Sequence, residues 1–191
     1  MPKSFRQLVL CPEDPQWMSS VTEDACRAVG LIAEVIDEQT PSRFYIGDQF
    51  LQHVSFMGCA PDIEFTPDQD KELDWQQFTF VHLSSDSIEA HCFVDLDMAK
   101  PQCPACQKRI REPRLYLSKM GRQRCPHCQH EAELGEFNWR EFGGCARTRV
   151  SIVNAYPKEA IPTDNLLQQL EKQTQVKWRY FYYYGPLINE H

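Results

Sequence analysis

The sequence predicts an α+β fold, an antiparallel or mixed sheet with two or three helices, on three observations. Short apolar segments of strand character are interleaved with segments of helical period. The composition, 42% apolar and 25% charged over 191 residues, suits a single domain carrying a small insert. A basic middle block containing two C-x-x-C pairs stands apart from an acidic first half.

Phe5 to Leu10 reads as the first strand, ended by the turn-rich Cys11-Pro12-Glu13-Asp14-Pro15. A helix is expected next, capped by Ser19 or Ser20, with Glu23 and Asp24 in its first turn opposing the positive end of the dipole. Ala25, Val29, Ile32, Ala33 and Ile36 recur at three- and four-residue steps and carry that helix to Thr40-Pro41. Residues 43–57 admit two readings. Arg43 to Ile46 with Gly47-Asp48 fits the arm of a hairpin, whereas Phe50, Leu51, Val54 and Met57 line a helix stopped by Gly58; the helix is the preferred one.

Phe78 to Leu83 predicts a strand, Ser84 to Ser87 a turn and Ile88 to Met98 a returning strand. In the latter, Ala90, Cys92, Val94, Leu96 and Met98 alternate with Glu89, His91, Phe93, Asp95 and Asp97, which places the first set on the core. Cys145 to Ala155 predicts another strand. A helix capped by Thr163 or Asp164 follows, buried through Leu166, Leu167 and Leu170, and Val176 to Tyr184 forms an aromatic final strand.

Charge is distributed unevenly. Residues 1–99 carry 5 Lys/Arg against 18 Asp/Glu, residues 100–149 carry 11 against 5, and the remainder is balanced, within a net charge of −7. No apolar run approaches the roughly 20 residues of a spanning helix, which argues against an integral membrane protein. Met1 to Trp17 lacks a basic region leading into an apolar stretch, so no secretory signal is expected. Nine cysteines, an odd number, then fit a reducing cytoplasm with a thiolate metal site better than a disulfide framework.

Four of them, Cys103, Cys106, Cys125 and Cys128, are spaced C-x2-C-x18-C-x2-C. Two cysteines three apart on a tight turn aim both sulfurs at one point, and two facing turns complete a tetrahedron around an ion with bonds of about 2.3 Å. The chain between them must travel out and back. Arg109 to Tyr116, a turn at Lys119-Met120-Gly121 and Arg122 to Cys125 make a hairpin of that reach. CPAC at 103–106 and CPHC at 125–128 resemble the two knuckles of the zinc ribbon family, over residues 103–128 only. The resemblance implies four thiolate ligands, one structural Zn2+ and no open coordination position. It divides the chain into an α+β domain of residues 1–99 and 131–191 and an inserted ribbon of 100–130. Such knuckles often place glycine after the second cysteine. Gln107 and Gln129 stand there instead, and a non-glycine residue tolerates the positive φ involved.

Iron suits four thiolates as well as zinc does, and spacing does not separate them. Cys125-Pro-His-Cys128 also matches a redox dithiol, but Gly135 breaks the helix such a motif should open, and Cys103/Cys106 would stay unexplained. A deaminase site needs a His-x-Glu that is absent.

Lys108, Arg109, Arg111, Arg114, Lys119, Arg122 and Arg124 lie between the outer ligands, opposed only by Glu112. They form either a surface for phosphate or an acidic protein, or a shell of cations offsetting the charge of about −2 that four thiolates leave on Zn2+. Three weaker constellations remain. His82, Glu89, His91 and Asp95 would share one face of the 78–98 hairpin, where a solvated polar face is the simpler reading. Cys59 with His53 upstream would make a nucleophilic pair, where a buried small cysteine is commoner. Tyr180, Tyr182 and Tyr184 beside Arg179 would stack bases, where a strand buried on both sides suffices. The sequence therefore points to a cytoplasmic zinc-binding interaction or adaptor protein without an evident enzymatic site, with nucleic-acid binding through the basic block as the alternative.

Overall fold

A computed structural model describes residues 3–57, 75, 78–84, 89–94, 96, 99–117 and 122–187. In chain order its elements are β1 (Phe5–Pro12), α1 (Thr22–Ala28), β2 (Ile32–Val35), β3 (Arg43–Ile46), α2 (Phe50–His53), β4 (Val54–Phe56), β5 (Phe80–Ser84), β6 (His91–Val94), α3 (Pro113–Tyr116), β7 (Gln123–Arg124), β8 (Glu131–Ala132), a 3-10 turn at Leu134–Glu136, β9 (Gly143–Ala146), β10 (Arg149–Val153), β11 (Ala160–Pro162), α4 (Asp164–Thr174) and β12 (Trp178–Gly185). The α+β class is as expected. Six strands form one antiparallel sheet in the order β12-β1-β10-β5-β3-β2. No helix among the described residues is long and apolar enough to cross a membrane.

Alternation along the strands sorts the two faces. Leu8 and Leu10 on β1, Val150 and Ile152 on β10, Val81 on β5 and Phe44 on β3 join Ala25, Cys26, Leu166 and Leu170 of α1 and α4 in the largest buried cluster. Thr163 caps α4 by accepting from the Leu166 N–H at 3.3 Å. The opposite face carries Val9, Cys11 and Phe181, covered by Phe93 of β6 and Ala146 of β9. Trp178 and Tyr182 lie in the first cluster and Phe181 in the second, so β12 is buried on both sides.

Three local expectations are corrected. The first helix ends at Ala28 rather than running to residue 40. Gly30 takes φ +70°, its N–H bonds to Arg27 O and that of Leu31 to Cys26 O, the paired bonds of a Schellman stop. The apolar run beyond it becomes β2. Residues 43–57 are not one helix either, but the strand β3, the single turn α2 and the strand β4.

The third correction concerns the 78–98 hairpin. β5 is sandwiched between β10 and β3, with Phe80 and Val81 buried on opposite faces of the sheet. β6 pairs with β9 in a separate two-stranded sheet, where Phe93 is buried rather than solvated. The register sets Cys92 directly opposite Cys145, and the two form a disulfide. A chain free of disulfides is thus not what the structure shows. The pair is separated by 53 residues, and only the tertiary register makes them neighbours. Cys11 and Cys26 are buried thiols, and burial pushes Cys26 up to about 12.

Candidate metal centre

The two knuckles repeat one backbone pattern. In the first, the Gln107 N–H bonds to Cys103 O at 2.9 Å and the Cys103 N–H to Lys108 O at 3.1 Å. In the second, Gln129 N–H bonds to Cys125 O at 2.9 Å and Cys125 N–H to His130 O at 2.9 Å. Gln107 and Gln129 both adopt positive φ, 56° and 63°, at the positions where glycine was the commoner choice. These turns leave each cysteine pair facing inward.

The four sulfurs converge, all within 4.8 Å of one another. Cys103 Sγ lies 3.7 Å from Cys128 Sγ, and Cys106 Sγ lies 3.8 Å from Cys125 Sγ. A tetrahedron with metal–sulfur bonds of about 2.3 Å has edges of about 3.8 Å, so these separations fit four thiolates on one ion.

The electrostatics agree. Burial opposes ionisation of Cys103, but the N–H groups of Cys106 and Ala105 and the neighbouring thiols outweigh it and bring the group down to about 7. At Cys128 the His130 N–H favours the thiolate, yet desolvation and the three other sulfurs push the proton up to about 12. The proton on Cys128 is held because the neighbouring sulfurs disfavour a further negative charge beside them, and a cation among them would remove that obstacle.

The scaffold around the sulfurs is small. Between the knuckles lie α3 and the two-residue strand β7, which pairs with the two-residue β8 around the second knuckle. The expected hairpin from 109–116 to 122–125 is therefore replaced by one from 123–124 to 131–132. Isolated bridges join Gln102 to Arg109 and to Asn138, and His127 Nε2 meets the Arg109 carbonyl at 3.1 Å. Val94, Ile110, Leu117, Ala132, Leu134, Phe137 and Trp139 pack with Cys103 and Cys125 in a cluster of their own.

The basic residues divide into two groups. Arg124 pairs with Glu131 across β7 and β8, its Nε at 3.1 Å from the carboxylate, and this contact holds Glu131 below the usual carboxylate range. Arg122 donates to the Glu131 carbonyl at 3.2 Å and lies 3.9 Å from Glu133. Lys108, Arg109, Arg111 and Arg114 are exposed, and Lys119 lies outside the described residues.

His82 and His91 do not share one solvated face. His82 is buried inside the sheet, Glu89 and His91 are exposed, and Asp95 lies outside the described residues. His53 is buried with Nε2 on the Val29 carbonyl at 2.7 Å, and Cys59 lies outside the described residues. What sequence reasoning missed is a buried cationic row. Arg43 on β3 and Arg149 on β10 flank His82. Arg149 stacks 4.0 Å over the Phe93 ring and donates to Ser84 Oγ at 2.9 Å. No local signal marks these arginines, since their burial follows from strand order.

No family model, curated protein or solved structure matches the chain.

Proposed function

We propose that the chain is a non-enzymatic interaction protein, whose ribbon of residues 100–130 folds around one structural Zn2+ and holds out a basic surface to an acidic partner protein in the cytoplasm. The observation that carries this reading is the cage of four protein sulfurs. Four thiolates fill a tetrahedral ion, leave no position for substrate or water, and make the metal a staple rather than a reagent. Zn2+ is the ion proposed because closed four-cysteine sites are its usual structural form; an iron site would make the pure protein coloured.

Two features favour a protein partner. Leu115 and Tyr116 on α3 are 69% and 51% exposed beside Arg111 and Arg114, a mixed apolar and cationic surface. Arg122 and Arg124 spend charge on Glu131 and Glu133 of the same hairpin. The experiment is affinity capture from the protein's own cells, comparing the native chain with Arg111→Glu/Arg114→Glu and with Cys106→Ser. A protein recovered with the native chain and reduced at least about tenfold by both variants is expected, since a lost contact worth about 1.4 kcal/mol changes affinity tenfold. Recovery unchanged by charge reversal overturns the reading. Nucleic acid is the second reading, supported by the seven Lys/Arg between the ligands. It requires a salt-sensitive shift of DNA or RNA that is lost when Arg111, Arg114, Arg122 and Arg124 are replaced together.

A further inference from the structure

Among the described residues outside the metal centre, the Cys92–Cys145 disulfide combines reactive chemistry with an approach route. It lies in a cleft of about 750 Å3 lined by Glu13, Glu89, Glu133, Glu136, His91 and Arg179, with the cystine itself in its wall. That volume is within the range of small-molecule sites. Both cysteines are partly exposed. Gly135, on the 3-10 turn, is part of the wall beside them. A Cβ there would sit 2.9 Å from Cys145 Sγ and 3.6 Å from Cys92 Sγ, so any side chain would press on the sulfurs. Gly135 does not have a positive φ, so its backbone does not demand glycine.

We propose that Cys92–Cys145 is a thiol–disulfide exchange site, reached over Gly135 and selective by charge for neutral or cationic thiols. An attacking thiolate bonds to Cys145 Sγ, the nearer sulfur, and the S–S bond breaks with its electron pair leaving on Cys92. A second thiol then displaces Cys145 from the mixed disulfide. Two electrons pass from two thiols to the cystine, their protons end on Cys92 and Cys145, and the attackers leave as their own disulfide. Four glutamates against Arg179 in the lining, with Arg122 3.9 Å from Glu133 as a further cation, leave the cleft with a net negative field that repels anionic thiols.

The position of the cystine gives the exchange a structural consequence. β6 precedes the first knuckle in the chain and β9 follows the second, and each has the other as its sheet partner. The cystine therefore closes a loop containing all four metal-ligating cysteines, and its reduction removes the covalent tie at the neck of that loop. The inference concerns sulfur chemistry at this neck and stands whichever ion, if any, the thiolate cage holds.

The test uses the full chain as purified. It is exposed at low ionic strength to cysteamine, 2-mercaptoethanol and 2-mercaptoethanesulfonate, then acid-quenched and alkylated. Labelling of the Cys92 and Cys145 peptides is followed by mass, and each rate is normalised to that thiol's rate with a small reference disulfide. The cystine is expected to be reduced without denaturant. The normalised cysteamine rate should exceed that of the sulfonate about tenfold, and the ratio should collapse at 0.5 M salt, where screening acts over only a few ångströms. Gly135→Ala should slow all three thiols with metal content unchanged. A chain with no cystine, a cystine reduced only in denaturant, or equal normalised rates for the cationic and anionic thiols would overturn the proposal; the charge series needs no variant. If Gly135→Ala folds and is reduced as fast as the native chain, the route over Gly135 is wrong.

Discussion

Chelation of the metal should unfold the segment from Val94 to Phe142 while the six-stranded sheet survives. The cluster around the cage has little else to hold it: one-turn α3, two-residue strands β7 and β8, and a 3-10 turn. Cys103 and Cys125 are themselves core members, so their sulfurs anchor the packing of Ile110, Leu117, Ala132 and Trp139. Structural zinc in small modules supplies on the order of 10 kcal/mol of binding free energy that is also folding free energy. The main sheet has its own core in Leu8, Leu10, Ile152, Leu166 and Leu170 and needs no metal. Hydrogen exchange after chelation should show the Gln107 and Gln129 amides, which close the knuckles, losing at least about a hundredfold in protection. The Leu8 and Leu10 amides should keep theirs. Cys125→Ser should reproduce the pattern without chelator. The disulfide limits the unfolded loop, contributing about 4 kcal/mol in a chain-entropy model, so the effect should be larger in the reduced chain. Unchanged protection of both knuckles would contradict the role given to the metal.

Acidification should cost about 2 kcal/mol of stability between pH 6.5 and 4.5 through His82 alone. Its side chain is 3% exposed, opposite Arg43 on β3 and Ser151 on β10, with Arg149 the next residue on that face of β10. Burial first, then the Arg149 and Arg43 charges, bring its pKa down to about 3. The unfolded chain binds this proton near pH 6.5, while the folded chain refuses it until about pH 3. Over that window the unfolded state holds the extra proton, so stability is full above pH 6.5 and declines as pH falls. Urea midpoints at pH 7, 5.5 and 4.5 should converge between the native chain and His82→Gln as the pH drops. The comparison matters because carboxylates such as Glu131 also lose stabilising contacts in acid. Parallel pH profiles in the two proteins would show that His82 does not set the slope.

The metal site was legible because its chemistry is local. A C-x2-C knuckle closes within six residues, and Gln107 and Gln129 took the positive φ that the ribbon resemblance required of them. Thr163 and the Leu166/Leu170 stripe likewise announce α4 through contacts three and four residues apart. The first helix was misjudged at one residue. Leu31 to Ile36 extends the apolar rhythm of Ala25 and Val29, and only Gly30 in its left-handed turn separates helix from strand. Pairing between distant strands carried no local mark. β5 and β6 look like two arms of a hairpin, yet β5 lies at the sheet centre, with Phe80 and Val81 buried on opposite faces, and β6 pairs with β9. The disulfide, the cleft beside it and the buried arginines around His82 all follow from that exchange of partners.

Native mass spectrometry with elemental analysis of the purified chain addresses the cage itself. One transition metal ion per chain is expected, zinc by the reading proposed above, lost in Cys103→Ser/Cys125→Ser and indifferent to Cys92→Ser/Cys145→Ser. A chain that folds with protected knuckles yet carries no stoichiometric metal would contradict it.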